Sequence, residues 1–158
     1  MEAVRRATSD DSPRLAVLAQ ELLDDMASIR GGSLLIEPEL DPSGEHALLA
    51  RLPELVDDPQ RLVVVGSLDE VVIGFALGHF QDLGDHGRRG VLDACYVEPG
   101  ARELGVGRML LDAAITWFKE SGCRGADGTA LPGDRGAKNF FEAAGFKARL
   151  LTMYQSFD

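Results

Sequence analysis

The residues whose types and spacing can do chemistry are concentrated in one stretch, Val97-Glu98-Pro99-Gly100-Ala101-Arg102-Glu103-Leu104-Gly105-Val106-Gly107-Arg108. Strand-forming residues lead into it, and helical periodicity leads out of it. The start of a helix presents backbone N–H groups without partners and the positive end of the helix dipole. Glycines at 105 and 107 let a ligand approach the main chain closely. Together these features make a cradle for a phosphate or pyrophosphate, with Arg102 and Arg108 as further positive charge. Two common phosphate loops are excluded. No Gly-Lys pair followed by Ser or Thr occurs, and the dinucleotide pattern requires glycine at 110, where this chain has Leu110. A strand-to-helix turn that binds nothing is the other reading of the same glycines.

A second group precedes the loop. Strict alternation along residues 90–97 puts Val91, Asp93, Cys95 and Val97 on one face and Leu92, Ala94 and Tyr96 on the other. Asp93 is the best-placed carboxylate for proton transfer, and Glu98 is next. Cys95 lies in an apolar strand, where cysteine acts as a small core residue rather than a nucleophile. His46, His79 and His86 share no metal-like spacing, so no metal site is expected. Tyr96 and Tyr154 carry the hydroxyls available to donate a proton.

The elements that hold these residues follow from periodicity and breakers. A short strand at 4–7 is followed by capping oxygens at Thr8, Ser9 and Asp11, then Pro13. Leu15, Leu18, Leu22, Leu23 and Met26 predict a helix as far as Gly31-Gly32. Residues 33–60, broken by Pro38, Pro42, Pro53 and Pro59, read mostly as loop, with a short helix over 47–56. Stretches 61–66 and 71–80 form a hairpin, and 90–97 is a third strand. A helix over 106–119, a weak strand near 127–131, a helix over 135–144 and a final strand over 149–156 complete the order. That order predicts an α/β (α+β) domain. Its length of 158 residues suits a single domain, residues 1–158.

Composition narrows the partners. The net charge is −10, which argues against nucleic acid. Residues 1–60 hold 13 acids against 5 bases, so most of the charge sits in the first third. That charge keeps the chain soluble or draws in a cationic partner. Two cysteines make no disulfide framework. The apolar runs are too short to span a bilayer, and a secretory leader is absent from the first residues. The expected location is cytoplasmic, with no membrane partner.

Three groups of residues together resemble the GNAT superfamily of N-acetyltransferases. They are Tyr96-Val97-x-Pro99 with Arg102-x-x-Gly105-x-Gly107; the stretch from Asp134 through Ala137, Phe140, Phe141 and Glu142 to Gly145-Phe146; and Val4-Arg5-Arg6-Ala7-Thr8 with Asp11. The resemblance covers essentially the whole chain. It implies a mixed, mostly antiparallel central sheet with a splayed strand pair, flanked by helices on both faces. It also implies acetyl-CoA as co-substrate and an amine acceptor attacking the thioester directly. By the same resemblance, the backbone of Cys95 and Val97 would bond the thioester end. The loop from Arg102 and Glu103 through Leu104, Gly105, Val106 and Gly107 to Arg108 would hold the pyrophosphate, and Asp134, Lys138 and Phe141 would lie along the arm. Asp93 as acid–base group and Cys95 through its main-chain N–H are the catalytic candidates. Phe141 stands where the family commonly has a proton-donating tyrosine. A non-catalytic acyl-CoA sensor, or an interaction domain whose loop binds nothing, therefore stays open beside the enzyme. Dimers are common among such proteins, so a homodimer is an expected assembly.

Overall fold

The computed structural model describes residues 1–37 and 44–158. The elements are β1 (Glu2–Arg6), α1 (Ser12–Ala27), α2 (Gly32–Ile36), α3 (Glu45–Ala50), α4 (Leu52–Leu55), β2 (Arg61–Leu68) and β3 (Val71–Asp82). They continue with β4 (Arg88–Val97), α5 (Val106–Glu120), β5 (Cys123–Gly128) and α6 (Arg135–Ala143). The strands form one sheet in the order β1-β2-β3-β4-β5. All neighbours run antiparallel except β4 and β5, which are parallel. β2 and β3 turn back through Asp69 and Glu70, both at positive φ, the geometry that matches the twist of a two-residue hairpin.

Helices cover both faces, as the order of elements predicts. On one side α1 and α4 bury Leu15, Leu18, Leu52 and Leu55 against Val63, Val65, Phe75 and Leu77. On the other, α5 buries Val106, Leu110, Leu111, Ala114 and Phe118 against Leu62, Val64, Ala76 and Leu92. α5 lies close because glycines make room for it. A Cβ on Gly66 would come within 2.4 Å of Val106, and one on Gly90 within 2.5 Å of Phe118. Val106 is the first residue of α5, so the seat on Gly66 fixes where that helix begins.

Asp11 ties β1 to the start of α1. It is buried and takes both guanidinium nitrogens of Arg5, at 2.8 and 2.9 Å, together with the Thr8 N–H at 2.8 Å. The Arg5 guanidinium, with help from Thr8, holds the Asp11 carboxyl below its usual range against the opposing effect of burial. A depressed carboxyl contributes stability above the unfolded value of about 3.9 and loses it as pH falls through the lower folded value. Asp11→Asn is therefore expected to cost about 1–3 kcal/mol at pH 7. Urea denaturation of both proteins should show that difference shrinking as pH falls below about 4. A gap unchanged at low pH would contradict it.

Three expectations are corrected. Residues 33–60 carry three short helices among the described residues rather than mostly loop, because Leu49, Leu52 and Leu55 are buried beneath α1. The expected helix at 47–56 is split at Arg51, and Pro53 sits in the first turn of the second piece, where no N–H is needed. Pro38 and Pro42 lie outside the described residues. The strand expected near 127–131 runs instead over Cys123–Gly128, where pairing with β4 overrides a glycine-bearing, polar sequence. The strand expected over 149–156 does not form. Residues 147–158 are exposed and pair with no strand.

Candidate functional site

The site is built around an irregularity in β4. Opposite β3, Leu77 pairs with Ala94 but Gly78 pairs with Leu92, so Asp93 is an extra residue, a β-bulge. The bulge breaks the strict alternation expected for this strand. Leu92, Cys95 and Val97 belong to the α5 side of the sheet, and Ala94 and Tyr96 to the α1 side. Asp93 reaches His79 and Arg61 and so does not share the face of Cys95, as alternation had placed it. Periodicity carries no sign of an inserted residue, which is why the sequence misled there.

On its other edge β4 pairs with β5 only as far as Leu92 opposite Gly128. Beyond that point the two parallel strands part, which gives the splayed pair. Glu98 donates its N–H to the Ile73 carbonyl at 2.9 Å. Bonded and non-bonded pairs alternate in an antiparallel ladder, so Cys95 and Val97 fall at positions whose N–H and C=O point away from β3, into the opening. The Val97 carbonyl accepts from Arg102 Nε at 2.9 Å.

The loop then leads to α5. A 3-10 turn over Pro99–Leu104 ends at Gly105, which caps the helix in the left-handed region at φ 82° with no side chain bonding the free N–H groups. The first helical bond is from the Met109 N–H to the Gly105 carbonyl. The N–H groups of Val106, Gly107 and Arg108 thus have no acceptor within the helix. The first turn holds no acidic residue, so nothing in it neutralises the positive end of the dipole. Arg102 extends toward α1, pairing with Asp25 at 3.2 Å and lying over the Tyr96 ring at 5.5 Å. Arg108 is held by Asp112 at 3.0 Å and bonds the Ala143 carbonyl at 3.4 Å. Main chain, rather than arginine side chains, is therefore what the loop offers an anion. Glu103 and Leu104 are exposed on the turn.

α6 closes the far side of the opening. Asp134 caps it by accepting from the Ala137 N–H at 2.9 Å, and Lys138 pairs with Glu142 at 3.6 Å on its exposed surface. Phe141 sits on the branch point itself, since a Cβ on Gly128, the last β5 residue paired to β4, would lie 2.4 Å from its ring. Gly128 is a site residue that the sequence reading missed. Its only signal was glycine in a predicted strand, a mark of close approach.

Two cavities flank this opening. A small one of about 90 Å³ is lined by Asp93, Ala94, Cys95, Thr129 and Leu131 with Leu22, Met26 and Leu35 from α1 and α2. Asp93, buried in its wall, accepts at Oδ2 from His79 Nδ1 at 2.7 Å and lies 3.9 Å from Arg61 Nη1. That bond sets the tautomer and leaves His79 Nε2 as the ring's proton acceptor. A wider cleft of about 430 Å³ lies between Glu21, Asp24 and Asp25 of α1 and Tyr96, Glu98, Pro99 and Gly100. Four carboxylates line it. Arg14 pairs with Glu98 and Arg102 with Asp25, so the wall stays net negative.

Neither Cys95 nor Tyr96 is poised for side-chain chemistry. Burial pushes the Cys95 thiol up to about 12, far from the thiolate a nucleophile needs. Burial first, then Asp25 and Glu21, push the Tyr96 hydroxyl up to about 12. Tyr154 is exposed outside the sheet. Among the described residues no cluster of His, Cys, Asp or Glu suits a metal ion, and no helix is long and apolar enough to cross a membrane.

Comparisons agree with this geometry. The fold is shared with a transcriptional regulator from Bacillus halodurans C-125, at 22% identity over 99% of this chain and 100% of that one, TM-score 0.72. A predicted acetyltransferase from Clostridium acetobutylicum, solved with acetyl-CoA, matches at 19% identity over 99% and 96%, TM-score 0.72. The aminoglycoside N-acetyltransferase AAC(6')-Iy, solved with CoA, matches at 20% identity over 100% and 96%, TM-score 0.71. No curated protein sequence matches the chain. The profile of the Acetyltransferase (GNAT) family matches residues 21–146. With that match over most of its length, and with a splayed β4–β5 pair opening beside an uncapped glycine loop, this chain belongs to the GNAT acetyltransferase family.

Proposed function

We propose that this protein transfers an acetyl group from acetyl-CoA to a primary amine by direct attack. The observation that carries the reading is the open edge of β4 at Cys95 and Val97 beside the unpartnered N–H groups that begin α5. A diphosphate fits the main-chain groups from Leu104 to Arg108, and an amide-bearing arm fits the outward groups of Cys95 and Val97 as an added strand. Asp134, Lys138 and Phe141 border the same path. Acetyl-CoA supplies the acyl group.

The chain's own residues then have defined tasks. The Cys95 N–H is aimed into the opening, where it can donate to a carbonyl oxygen as negative charge develops on it. An alkylamine is mostly protonated at neutral pH, and removing its proton costs roughly 4–5 kcal/mol. The His79–Asp93 pair is the proton acceptor, with Asp93 fixing the ring and His79 Nε2 taking the proton. Phe141 has no hydroxyl, so the departing thiolate leaves without a side-chain acid at that position. Its low basicity, a thiol pKa of about 8.5, permits this.

The acceptor proposed is cationic, such as a polyamine or aminoglycoside-like amine, because the wider cleft is walled by Glu21, Asp24, Asp25 and Glu98. The aminoglycoside N-acetyltransferase of the same fold supports an amine acceptor. Calorimetric titration with acetyl-CoA, paired with thiol release over a panel of amines, tests the reading. Binding with acceptor-dependent release that weakens at high salt is expected. Binding without release would favour an acyl-CoA sensor, the reading that Phe141 supports. No binding would overturn both.

A further inference from the structure

We propose, on the basis of that acetyl-transfer reading, that Met26, Leu35 and Leu131 set the acyl-chain length this protein accepts. They close the small cavity beside Cys95 around an acetyl group and shut out longer chains. An arm that follows β4 from the α5 turn past Val97 delivers its thioester at Cys95, and Cys95 is part of the wall of that cavity. Further along the strands the path ends. β4 and β5 rejoin at Leu92 and Gly128, and the Phe141 ring fills the space where a Gly128 side chain would begin. The wider cleft is no outlet for a hydrocarbon chain, because Glu21, Asp24, Asp25 and Glu98 line it. Among the described residues, the small cavity is the room left to an acyl chain.

That room is short. A volume of about 90 Å³ holds about three waters at ~30 Å³ each. An acetyl group fills such a space, and a butyryl group exceeds it. The wall facing β4 is apolar, with Leu22 and Met26 from α1, Leu35 from α2 and Leu131 from the segment after β5.

Backbone holds this wall in place. A Cβ on Gly32 would lie 1.8 Å from the Met26 carbonyl oxygen, so α2 starts directly on the end of α1. Leu131 packs on the same turn, its side chain 3.7 Å from a Cβ on Gly31 and 3.6 Å from one on Gly32. A Cβ on Gly133 would meet the Arg30 nitrogen at 3.3 Å. The turn between α1 and α2 and the segment 131–133 thus form one clasp. Side chains seated on it cannot give way without moving both backbones, so a longer chain meets the cost of overpacking.

Calorimetric titration with CoA, acetyl-CoA and butyryl-CoA tests this without any acceptor. The wild type should bind butyryl-CoA about 10–200-fold more weakly than acetyl-CoA. Met26→Ala removes the thioether end of the side chain, more atoms than butyryl adds to acetyl, and should bring the two nearly level. Leu35→Ala, from the other helix, should do the same, so the test stands if one variant fails to fold. Leu23→Ala cuts an equally apolar residue of α1 outside the cavity wall and should keep the wild-type preference. Equal binding of both thioesters by the wild type, a preference that persists in both cavity variants, or its loss in Leu23→Ala would overturn the proposal. Failure of CoA itself to bind the wild type would instead overturn the acetyl-transfer reading, and the proposal with it.

Discussion

Asp93→Asn is expected to lower kcat by about 10²–10⁴, with much less change in KM. The carboxylate is buried, and among the described residues its close partners are His79 at 2.7 Å and Arg61 at 3.9 Å. An asparagine fills the same space, but it can present its NH₂ to His79 Nδ1 and so favour the wrong tautomer, with the proton on Nε2. His79→Gln should lose a similar factor, and the double variant should be no slower than the worse single, because residues that act as a unit are not additive. Steady-state kinetics on the wild type and the three variants checks this. A normal kcat in Asp93→Asn, or losses that multiply in the double variant, would assign the proton to another group.

Gly105→Val should raise the Kd for acetyl-CoA by about 5–30-fold. The position sits at φ 82°, where a β-branched residue is a genuine outlier, at a cost of roughly 1–2 kcal/mol. There is open space around a Cβ at 105, so the backbone, not crowding, sets the penalty. Relieving it means rotating the loop, which moves the N–H groups of Val106 to Arg108 off the phosphate position. Gly107→Ala is the contrast. A Cβ there meets Phe140 and Val97 at an ordinary 3.6 Å, so stability should hold within about 0.5 kcal/mol. Calorimetry with acetyl-CoA and thermal denaturation separate the two effects. Equal losses of affinity at 105 and 107 would mean that side-chain bulk, not loop geometry, governs binding.

The β-branched runs of β2 and β3 were legible because both faces of these strands are buried, and the helical spacing of Leu15, Leu18 and Leu22 and the recurrence of Met109, Leu110, Ala113 and Ala114 because α1 and α5 each bury one face. The glycine loop was legible too, since strand, Pro99, Gly105 and helix follow one another within a few residues. Less was legible where long-range pairing decides. β5 has the composition of a turn and is a strand only because β4 lies alongside it. The helices after α1 exist because Leu49, Leu52 and Leu55 find a shared apolar surface. The bulge at Asp93 was invisible because one inserted residue leaves composition untouched while turning a side chain to the opposite face.

Local order in this chain thus follows from neighbours in sequence. Capping at Thr8 and Asp11, amphipathic α1 and α5, the β2–β3 hairpin and the glycine turn at 105 are all set by interactions within a few residues. The site itself is a tertiary product. The parting of β4 from β5 at Leu92 and Gly128, the Phe141 ring on Gly128, and the His79–Asp93 pair join residues far apart along the chain. Such contacts are chosen by the closing of two hydrophobic layers over one sheet, and no local pattern encodes which groups that closure leaves without a partner.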